Sequence, residues 1–279
     1  MFFVKTLKLI RKYAFQIIFV GAVSCVIFAL DLPDNRFHAY FLDVGQGDSL
    51  LIKTPENQHI LIDGGPNNSV MKGLSEAMFF FDKTIDLMVL THPHSDHVTG
   101  LISVLKDYDV KRVMMTLVIY KSRVYADFLK AVKDEGAEVF VADATTDFDF
   151  GSTFIDTLYP FSKISGQTFK DVNDSSIAMR IIYGDKSIFV GGDIGEGIEK
   201  KIVAKYNDLK SDVLKVSHHG SKKSSSDIFL RALRPKIAII SCGKNNSYGF
   251  PPDMILDRLN KYGIKIYRTD LDSKVELVF

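Results

Sequence analysis

Three of the seven histidines in this chain lie within one short segment, residues 91–97 (THPHSDH). The segment follows the apolar run 85–91 (IDLMVLT), which is typical of a strand covered on both faces. Two more, His218 and His219, follow the predicted strand 212–217, so five of the seven stand at strand ends. Imidazole and carboxylate groups are ligands for Zn²⁺, Mn²⁺ or Fe²⁺. The pattern therefore predicts a metal site with enough ligands to serve two neighbouring ions.

The two remaining histidines and the cysteines do not extend this metal site. His38 and His59 are single members of predicted strands, and we interpret both as structural. Cys242 is the only cysteine beyond residue 31, which excludes a thiolate metal site and an internal disulfide there.

The N-terminal segment has the composition of a membrane anchor. No charged residue occurs from Tyr13 to Leu30, four basic residues precede it, and Asp31 closes it. At 1.5 Å per residue, a helix of this length nearly crosses a hydrocarbon core of about 30 Å, and the basic side is expected to stay cytoplasmic. We predict that residues 1–31 form a cytoplasmic flank and a transmembrane helix in the cell membrane. Residues 32–279 would then form a domain outside the cytoplasm.

Other interpretations of this segment stay open. A cleaved signal peptide, or lipid attachment at Cys25, would leave the domain secreted or lipid-anchored, although the apolar run of a signal peptide usually has about 7–15 residues. A buried helix of a soluble protein is the third interpretation.

The charge balance changes once this flank is set aside. The chain has 35 Lys and Arg against 34 Asp and Glu, whereas residues 32–279 have 31 against 33. A domain with this slight negative charge is not a globally basic nucleic-acid-binding protein, although a local basic patch is compatible with it. The 25% of charged residues and 46% of hydrophobic residues exclude a disordered chain, and two cysteines exclude a disulfide scaffold.

Residues 32–279 contain no repeat or long linker, which indicates one domain. Two halves each begin with β-rich sequence and continue with alternating strands and helices, an order that suggests two packed sheets with helices outside. The predicted strands are 37–43, 49–53, 59–63, 85–91, 111–118, 137–142, 153–159, 176–183, 186–191, 212–217, 236–241, 264–268 and 274–279. The predicted helices are 70–81, 123–134, 196–205, 225–233 and 252–261.

Segment 91–100 (THPHSDHVTG) resembles the signature of the metallo-β-lactamase fold superfamily. Further motifs recur in order: 41–49 (FLDVGQGDS), 61–65 (LIDGG), 191–194 (GGDI), 215–221 (KVSHHGS) and 267–270 (YRTD). Together they resemble the hydrolase domain of the ComEC family of DNA-uptake proteins and its stand-alone relatives, over residues 37–279. The resemblance implies an α/β fold, an αββα sandwich of two mixed sheets, with a metal site at one edge where the strand-end loops meet.

The resemblance also implies the metal ligands. His92 and His94 would belong to a first site, Asp96 and His97 to a second, and Asp193 would bridge the two. One or two divalent metals, Zn²⁺ or Mn²⁺, would be the cofactors. A metal lowers the pKa of its bound water, and Asp96 or Asp193 would position the resulting hydroxide as catalytic residues.

Three further residues complete this assignment. His218 would finish the second site because it directly follows its strand, with His219 as the alternative. Asp63 stands in a similar strand-Asp-Gly-Gly setting to Asp193 and would orient the ligand loop as an acceptor rather than bind metal.

One departure from the superfamily pattern concerns the first site. Its usual third histidine is missing, because no histidine occurs from 98 to 217. The corresponding stretch offers Asn173 or Asp174 as weak substitutes. A mixed or exchangeable metal is therefore favoured over a tightly held Zn²⁺ pair.

A loop rich in lysine and serine follows strand 212–217. Lys215, Ser221, Lys222 and Lys223 form a candidate phosphate-binding patch on an otherwise slightly acidic domain, and a solvated flexible turn is the alternative. The Gly-rich turn 43–48 offers backbone N–H groups to a phosphate, or is simply a hairpin turn.

These inferences lead to a membrane-anchored, extracytoplasmic metallohydrolase, most consistent with a phosphodiesterase or nuclease. Its substrate would be DNA or another anionic phosphodiester, with a DNA-uptake channel as a further partner. The first alternative is a cell-surface phosphodiesterase acting on a choline-bearing or other glycopolymer. The second is a non-catalytic metal- or DNA-binding accessory of DNA uptake. β-Lactam hydrolysis is disfavoured because the ComEC-like flanking motifs dominate.

Overall fold

The first of the two seven-stranded sheets contains six strands that precede residue 142 and the C-terminal strand. Its strands are β1 (His38–Phe41), β2 (Leu50–Lys53), β3 (His59–Ile62), β5 (Leu87–Val89), β7 (Arg112–Met115), β8 (Glu138–Val141) and β16 (Val275–Val278). They lie in the order β16-β1-β2-β3-β5-β7-β8. The pairs from β16 to β3 are antiparallel and those from β3 to β8 are parallel. A short parallel pair, β4 (Thr84–Ile85) and β6 (Asp109–Val110), lies apart from this sheet.

The second sheet repeats this plan. Its strands are β9 (Phe148–Phe150), β10 (Thr153–Tyr159), β11 (Ala178–Tyr183), β12 (Lys186–Val190), β13 (Val213–Lys215), β14 (Ile237–Ile240) and β15 (Lys265–Arg268). They lie in the order β15-β14-β13-β12-β11-β10-β9. The pairs from β9 to β12 are antiparallel and those from β12 to β15 are parallel. Each sheet is therefore mixed.

The helices follow the parallel strands. They are α1 (Ser69–Ala77), α2 (Ser95–Asp107), α3 (Arg123–Glu135), α4 (Glu196–Lys205), α5 (Asp227–Leu233), α6 (Asp253–Lys261) and α7 (Thr269–Asp272), with 3₁₀ turns at Val172–Ser175 and Ser217–Gly220. Local sequence fixes some of their ends. The Ser122 hydroxyl accepts a hydrogen bond from the Tyr125 N–H at the start of α3, and Gly136 ends that helix in a left-handed conformation.

The alternation of side chains across each strand produces three apolar layers. In β3, Ile60 and Ile62 face the layer between the sheets, which also contains Val190 and Ile239 of the second sheet. Leu61 faces the opposite way, into a layer with α1, α2 and α3. A third layer packs α4, α5 and α6 on the outer face of the second sheet. The predicted αββα sandwich of two mixed sheets is confirmed.

The structure is a computed structural model that describes residues 12–14, 16–24, 34–79 and 81–279, and it divides into two units, 1–34 and 35–279. Residues 12–14 and 16–24 are helical. Within the described residues, no helix combines the length and apolar character needed to cross a membrane. The predicted transmembrane helix is thus not supported. Part of that prediction, including Cys25 and the basic residues before residue 12, lies outside the described residues.

The element predictions differ from the structure in several places, and the helix α2 (Ser95–Asp107) was not predicted at all. The helix predicted at 70–81 ends at Ala77, because Met78 takes an extended backbone conformation although the apolar residues continue. The strand β9 was not predicted, since its three residues are too few to show a period.

Candidate metal centre

The site lies at the edge where the parallel strands of both sheets end. Asp63 follows β3, His92 lies just after β5, Asp193 lies after β12, and His219 lies after β13. Parallel strands place their carboxyl ends on the same side of a sheet, which is where ligands bind in open α/β sheets. The predicted meeting of strand-end loops is therefore what brings these residues together.

Among the residues that the structure describes, three groups of imidazole and carboxylate side chains have ligand atoms within 4.8 Å of one another. The groups are Asp96, His97, Asp193 and His219; His92, His94 and Asp193; and Asp48, Asp63 and His97. Asp193 belongs to the first two groups, which is the position predicted for a bridging ligand. His38 and His59 belong to none of the three. His38 instead pairs with Glu276 at 2.8 Å, and His59 lies 3.7 Å from Asp82.

The four-residue group fits a divalent metal. His97 Nε2 lies 3.3 Å from Asp193 Oδ1, and both atoms are buried without a hydrogen-bond partner. His219 Nε2 lies 3.2 Å from Asp96 Oδ2 and 3.6 Å from Asp193 Oδ2. Unpaired buried polar atoms are rare because they carry a large desolvation penalty. Two imidazoles and two carboxylates that converge in this way match the ligand preferences of Zn²⁺ and Mn²⁺.

The second group is smaller. His92 Nε2 lies 3.0 Å from His94 Nδ1 and 3.8 Å from Asp193 Oδ2. Asn173 lines the same cleft as His94 and Asp193, and its buried Oδ1 has no hydrogen-bond partner. Asp174 instead lines a neighbouring depression beside His94. Of the two predicted substitutes for the missing histidine, Asn173 is therefore the one that faces the site.

Asp63 holds His97 in place. Its Oδ1 accepts a hydrogen bond from the Thr91 N–H at 2.8 Å, and its Oδ2 accepts one from the Thr91 hydroxyl at 2.7 Å. Oδ2 also lies 2.8 Å from His97 Nδ1, which leaves Nε2 directed at Asp193. These contacts fit the predicted role of Asp63 as an acceptor that orients the ligand loop.

A parallel arrangement holds His219. Its Nδ1 lies 3.1 Å from Asp48 Oδ1 and 3.1 Å from the Ser241 carbonyl oxygen, which leaves Nε2 for Asp96 and Asp193. The sequence pattern does not predict Asp48 as part of the site. The available signal is its place in the motif 41–49, but a Gly-rich turn of this kind predicts only a hairpin or a phosphate loop. It does join β1 to β2 as a hairpin.

Charges within the site shift several pKa values. Burial alone would lower the pKa of His97, but Asp193 and Asp63 outweigh it and raise that pKa well above the ordinary value. Burial lowers the pKa of His92, and His97 adds to the effect. Burial would raise the pKa of Asp193, yet the neighbouring histidines hold it well below the ordinary value. Asp193 is thus ionised at neutral pH, as a metal ligand must be.

His219, rather than His218, shares the metal-capable group. His218 Nε2 lies 3.9 Å from Asp193 Oδ2, its side chain is 22% exposed, and its ring meets Phe250 edge-on. Both histidines have a φ of 54°, in the left-handed region that residues other than glycine rarely adopt. The sequence favoured His218 over His219 because His218 directly follows its strand. The left-handed conformations of the two residues place His219 in the metal-capable group instead.

One of the predicted phosphate-binding residues is not available to a ligand. The Lys215 side chain is only 3% exposed, and its Nζ donates to Asp48 Oδ2 at 2.7 Å. The assignment of Lys215 was wrong, because this residue ends a central strand that is covered on both faces. Ser221 is largely buried, and its hydroxyl accepts a hydrogen bond from the Lys223 N–H, but the residue lines the cleft that also contains Lys222 and Lys223. Lys222 and Lys223 are exposed, which fits both the predicted phosphate-binding patch and a solvated turn.

Two adjoining clefts open at the site. The first, of about 460 Å³, is lined by Gln46, Pro66, His94, Ser95, Asp96, Asn173, Asp193, His218, His219, Tyr248 and Phe250. The second, of about 390 Å³, is lined by His218, Ser221, Lys222, Lys223, Tyr248, Gly249, Phe250 and Pro252. Three residues line both, so a path leads from the carboxylates to the exposed lysines.

Comparisons with known proteins agree with this geometry. Residues 42–244 match the family described as the metallo-beta-lactamase superfamily. ComE operon protein 3 of Bacillus subtilis (strain 168) is 29% identical over 287 aligned positions, which cover 94% of this chain and 36% of that protein. Competence protein ComA of Neisseria gonorrhoeae is 31% identical over 250 positions, which cover 88% of this chain and 33% of that protein. The chain thus spans about a third of these relatives' length.

Solved structures show the same fold at low identity. The metallo-beta-lactamase fold protein YhfI from Bacillus subtilis has a TM-score of 0.56 and 12% identity, and the match covers 88% of this chain and 100% of that one. CmlA, a diiron beta-hydroxylase from Streptomyces venezuelae, has a TM-score of 0.54 and 14% identity, and the match covers 87% of this chain and 54% of that one.

Proposed function

Because the chain belongs to the metallo-β-lactamase superfamily, we propose that it is a divalent-metal-dependent phosphodiesterase that cleaves a nucleic acid strand. The resemblance predicted from the motifs is confirmed at the level of this family and its ComEC-type relatives. One observation carries the proposal: His97 Nε2 and Asp193 Oδ1 are buried 3.3 Å apart, without a hydrogen-bond partner, beside an open cleft. These are the atoms that a metal-dependent hydrolase needs.

His97, His219, Asp96 and Asp193 would hold one divalent metal, and His92 and His94 would join Asp193 in holding a second. Such an ion, when bound, acts as a Lewis acid and lowers the pKa of coordinated water. Asp96 is the most exposed carboxylate of the group, with 30% of its side chain accessible from the cleft. Burial would raise its pKa, but hydrogen bonding to His219 and the charge of His97 hold it well below the ordinary value. Asp96 therefore stays ionised and orients an attacking water as an acceptor.

An anionic substrate is supported by the second cleft. Lys222 and Lys223 are exposed on its wall, next to the cleft that contains Asp96 and Asp193. The domain as a whole is slightly acidic, so attraction of a polyanion has to be local. The name of one relative, competence protein ComA of Neisseria gonorrhoeae, favours DNA over other phosphodiesters.

The proposal includes attachment to the cell membrane through residues 13–30, with the hydrolase domain outside the cytoplasm. Its support is the uncharged sequence that follows four basic residues. Alkaline extraction of membranes, followed by protease treatment of intact cells, tests it. The chain should stay with the membrane pellet and be cleaved from outside. Release by alkali, or full protection from protease, contradicts the attachment or the orientation.

The hydrolase proposal is tested on the full chain with metal analysis and a substrate panel. After loading with Mn²⁺ or Zn²⁺, we expect at least one metal per chain and cleavage of single-stranded DNA and bis-p-nitrophenyl phosphate. Asp96→Ala should abolish cleavage, whereas Asp107→Ala, an exposed change on the same helix, should retain it. Less than one metal per chain, or equal rates for wild type and Asp96→Ala, overturns the proposal.

The panel also separates the alternatives. A choline-bearing glycopolymer that is cleaved while DNA is not indicates the cell-surface phosphodiesterase. Metal binding and DNA binding without cleavage of any substrate indicate a non-catalytic accessory. The observation that supports a non-catalytic accessory is Asn173, which lines the cleft in the place of a histidine ligand. An amide oxygen is a weaker ligand than an imidazole.

A further inference from the structure

An exposed pair of stacked aromatic rings stands beside the metal centre. Tyr248 is 68% exposed, and its ring stacks on Phe250 with centroids 5.6 Å apart and an interplanar angle of 17°. One side chain fixes the loop that carries them. Asn246 Nδ2 donates to the carbonyl oxygens of Gly243 at 3.0 Å and Phe250 at 2.7 Å, and its Oδ1 accepts from the Phe250 N–H at 2.9 Å. The two rings therefore form a preorganised stacked pair, whose exposed surface is mainly that of Tyr248.

The position of this surface is specific. Tyr248 and Phe250 line both clefts, so they lie between the carboxylates of the first and the lysines of the second. His218, the histidine outside the four-residue metal group, meets Phe250 edge-on at 5.9 Å and supports it from the metal side. A ligand on this surface would be near the metal centre at one end and near Lys222 and Lys223 at the other.

We propose that Tyr248 and Phe250 form a stacking subsite for one unpaired base of a nucleic acid strand, whose neighbouring phosphate contacts Lys222 and Lys223. The inference rests on the proposed phosphodiesterase function and names its substrate as single-stranded. Aromatic side chains beside a basic groove are the common means of binding single strands, because every base has a flat face. A base within a duplex has both faces covered and cannot occupy the surface.

A quaternary ammonium group such as choline also binds aromatic faces, but the surroundings disfavour it. Such cations are held within cages of several aromatic rings. Here one stacked pair is present, and the same cleft carries the positive charges of Lys222 and Lys223. These charges attract a phosphate and repel an ammonium group, so the chemistry of the cleft selects a nucleotide.

Binding to paired oligomers tests the subsite without turnover. The full chain is titrated in EDTA against a short fluorescent oligothymidylate and against an abasic oligomer with the same number of phosphates. We expect the wild type to bind the oligothymidylate about 10-fold more tightly than the abasic oligomer. Tyr248→Ala should remove this difference, and Tyr248→Phe should keep it. Phe154→Ala removes an exposed ring on β10 and serves as the matched control that leaves the difference unchanged.

The lysine variants give a separate signature. The double variant Lys222→Ala and Lys223→Ala should weaken the binding of both oligomers by the same factor. It should also reduce the salt dependence of this binding, since lysines contact phosphates and not bases. The subsite is overturned if Tyr248→Ala keeps the base-dependent difference, or if phosphorylcholine displaces both oligomers. Cleavage of bis-p-nitrophenyl phosphate by the loaded wild type is measured in parallel. If the binding experiments overturn the subsite while the wild type still cleaves bis-p-nitrophenyl phosphate, the subsite is wrong and the proposed function stands.

Discussion

Lys215 and Asp48 form a buried ion pair across 167 residues of sequence, with Nζ 2.7 Å from Oδ2. Asp48 follows β1 of the first sheet and Lys215 ends β13 of the second, so the pair connects the two sheets at the edge that carries the metal centre. Burial would raise the pKa of Asp48, but Lys215 and His219 outweigh it and lower that pKa to about 2. The resulting carboxylate lies 3.1 Å from His219 Nδ1, which also contacts the Ser241 carbonyl oxygen, while Nε2 of the same ring faces Asp96.

Replacing Lys215 by methionine should strongly destabilise the fold. The change keeps most of the side-chain volume but leaves the charge of Asp48 buried without its partner, which typically costs about 3–5 kcal/mol. We expect a decrease of about 3 kcal/mol in the free energy of unfolding, measured by urea denaturation. Lys236→Met is the matched control, because Lys236 pairs with Asp212 at the surface and such pairs contribute less than about 1 kcal/mol. Similar losses in both variants would contradict the buried role of Lys215.

The two adjacent histidines should differ in their effect on metal binding. His219→Ala removes a member of the four-residue group, so we expect Mn²⁺ affinity to fall by at least about 10-fold in calorimetric titration. His218→Ala removes a ring 3.9 Å from Asp193 and should retain most of the affinity. Circular dichroism of both variants checks that they are folded. The opposite order of effects would restore His218 as the ligand.

Asp63→Asn should weaken metal binding without changing the fold. Asp63 has a φ of 58°, and asparagine tolerates this left-handed conformation, so the backbone is not disturbed. The amide loses the charge that fixes the His97 tautomer, and changes of such supporting acceptors typically reduce metal affinity by about 10–100-fold. Asp43→Asn, in the exposed part of the hairpin loop after β1, is the control that should leave affinity unchanged. Equal affinity for wild type and Asp63→Asn would show that His97 needs no orienting acceptor.

The resemblance to the superfamily implied the gathering of His92, His97 and Asp193, and the apolar runs in the sequence located the strands that precede these residues. The sequence did not separate His218 from His219, since the choice depends on two left-handed backbone conformations within Ser217–Gly220. It also took Lys215 for a surface residue. A lysine after apolar residues is usually exposed, and its partner is remote in sequence, so only the packed sheets reveal the pair.

Replacing Gly100 and Gly197 by alanine should have opposite effects on the free energy of unfolding. A Cβ at Gly100, in α2, would lie 1.9 Å from the Gly64 carbonyl oxygen, and this backbone atom cannot move aside without shifting the loop that carries Asp63. We expect Gly100→Ala to lower the free energy of unfolding by about 2–3 kcal/mol, as overpacking does, and to weaken Mn²⁺ binding by displacing Asp63 from His97. A Cβ at Gly197, in α4, would meet nothing within 4 Å, so Gly197→Ala should stabilise the fold by about 0.5 kcal/mol. Urea denaturation and metal titration of both variants measure these effects, and a tolerated alanine at Gly100 would show that α2 does not need its close approach to β3.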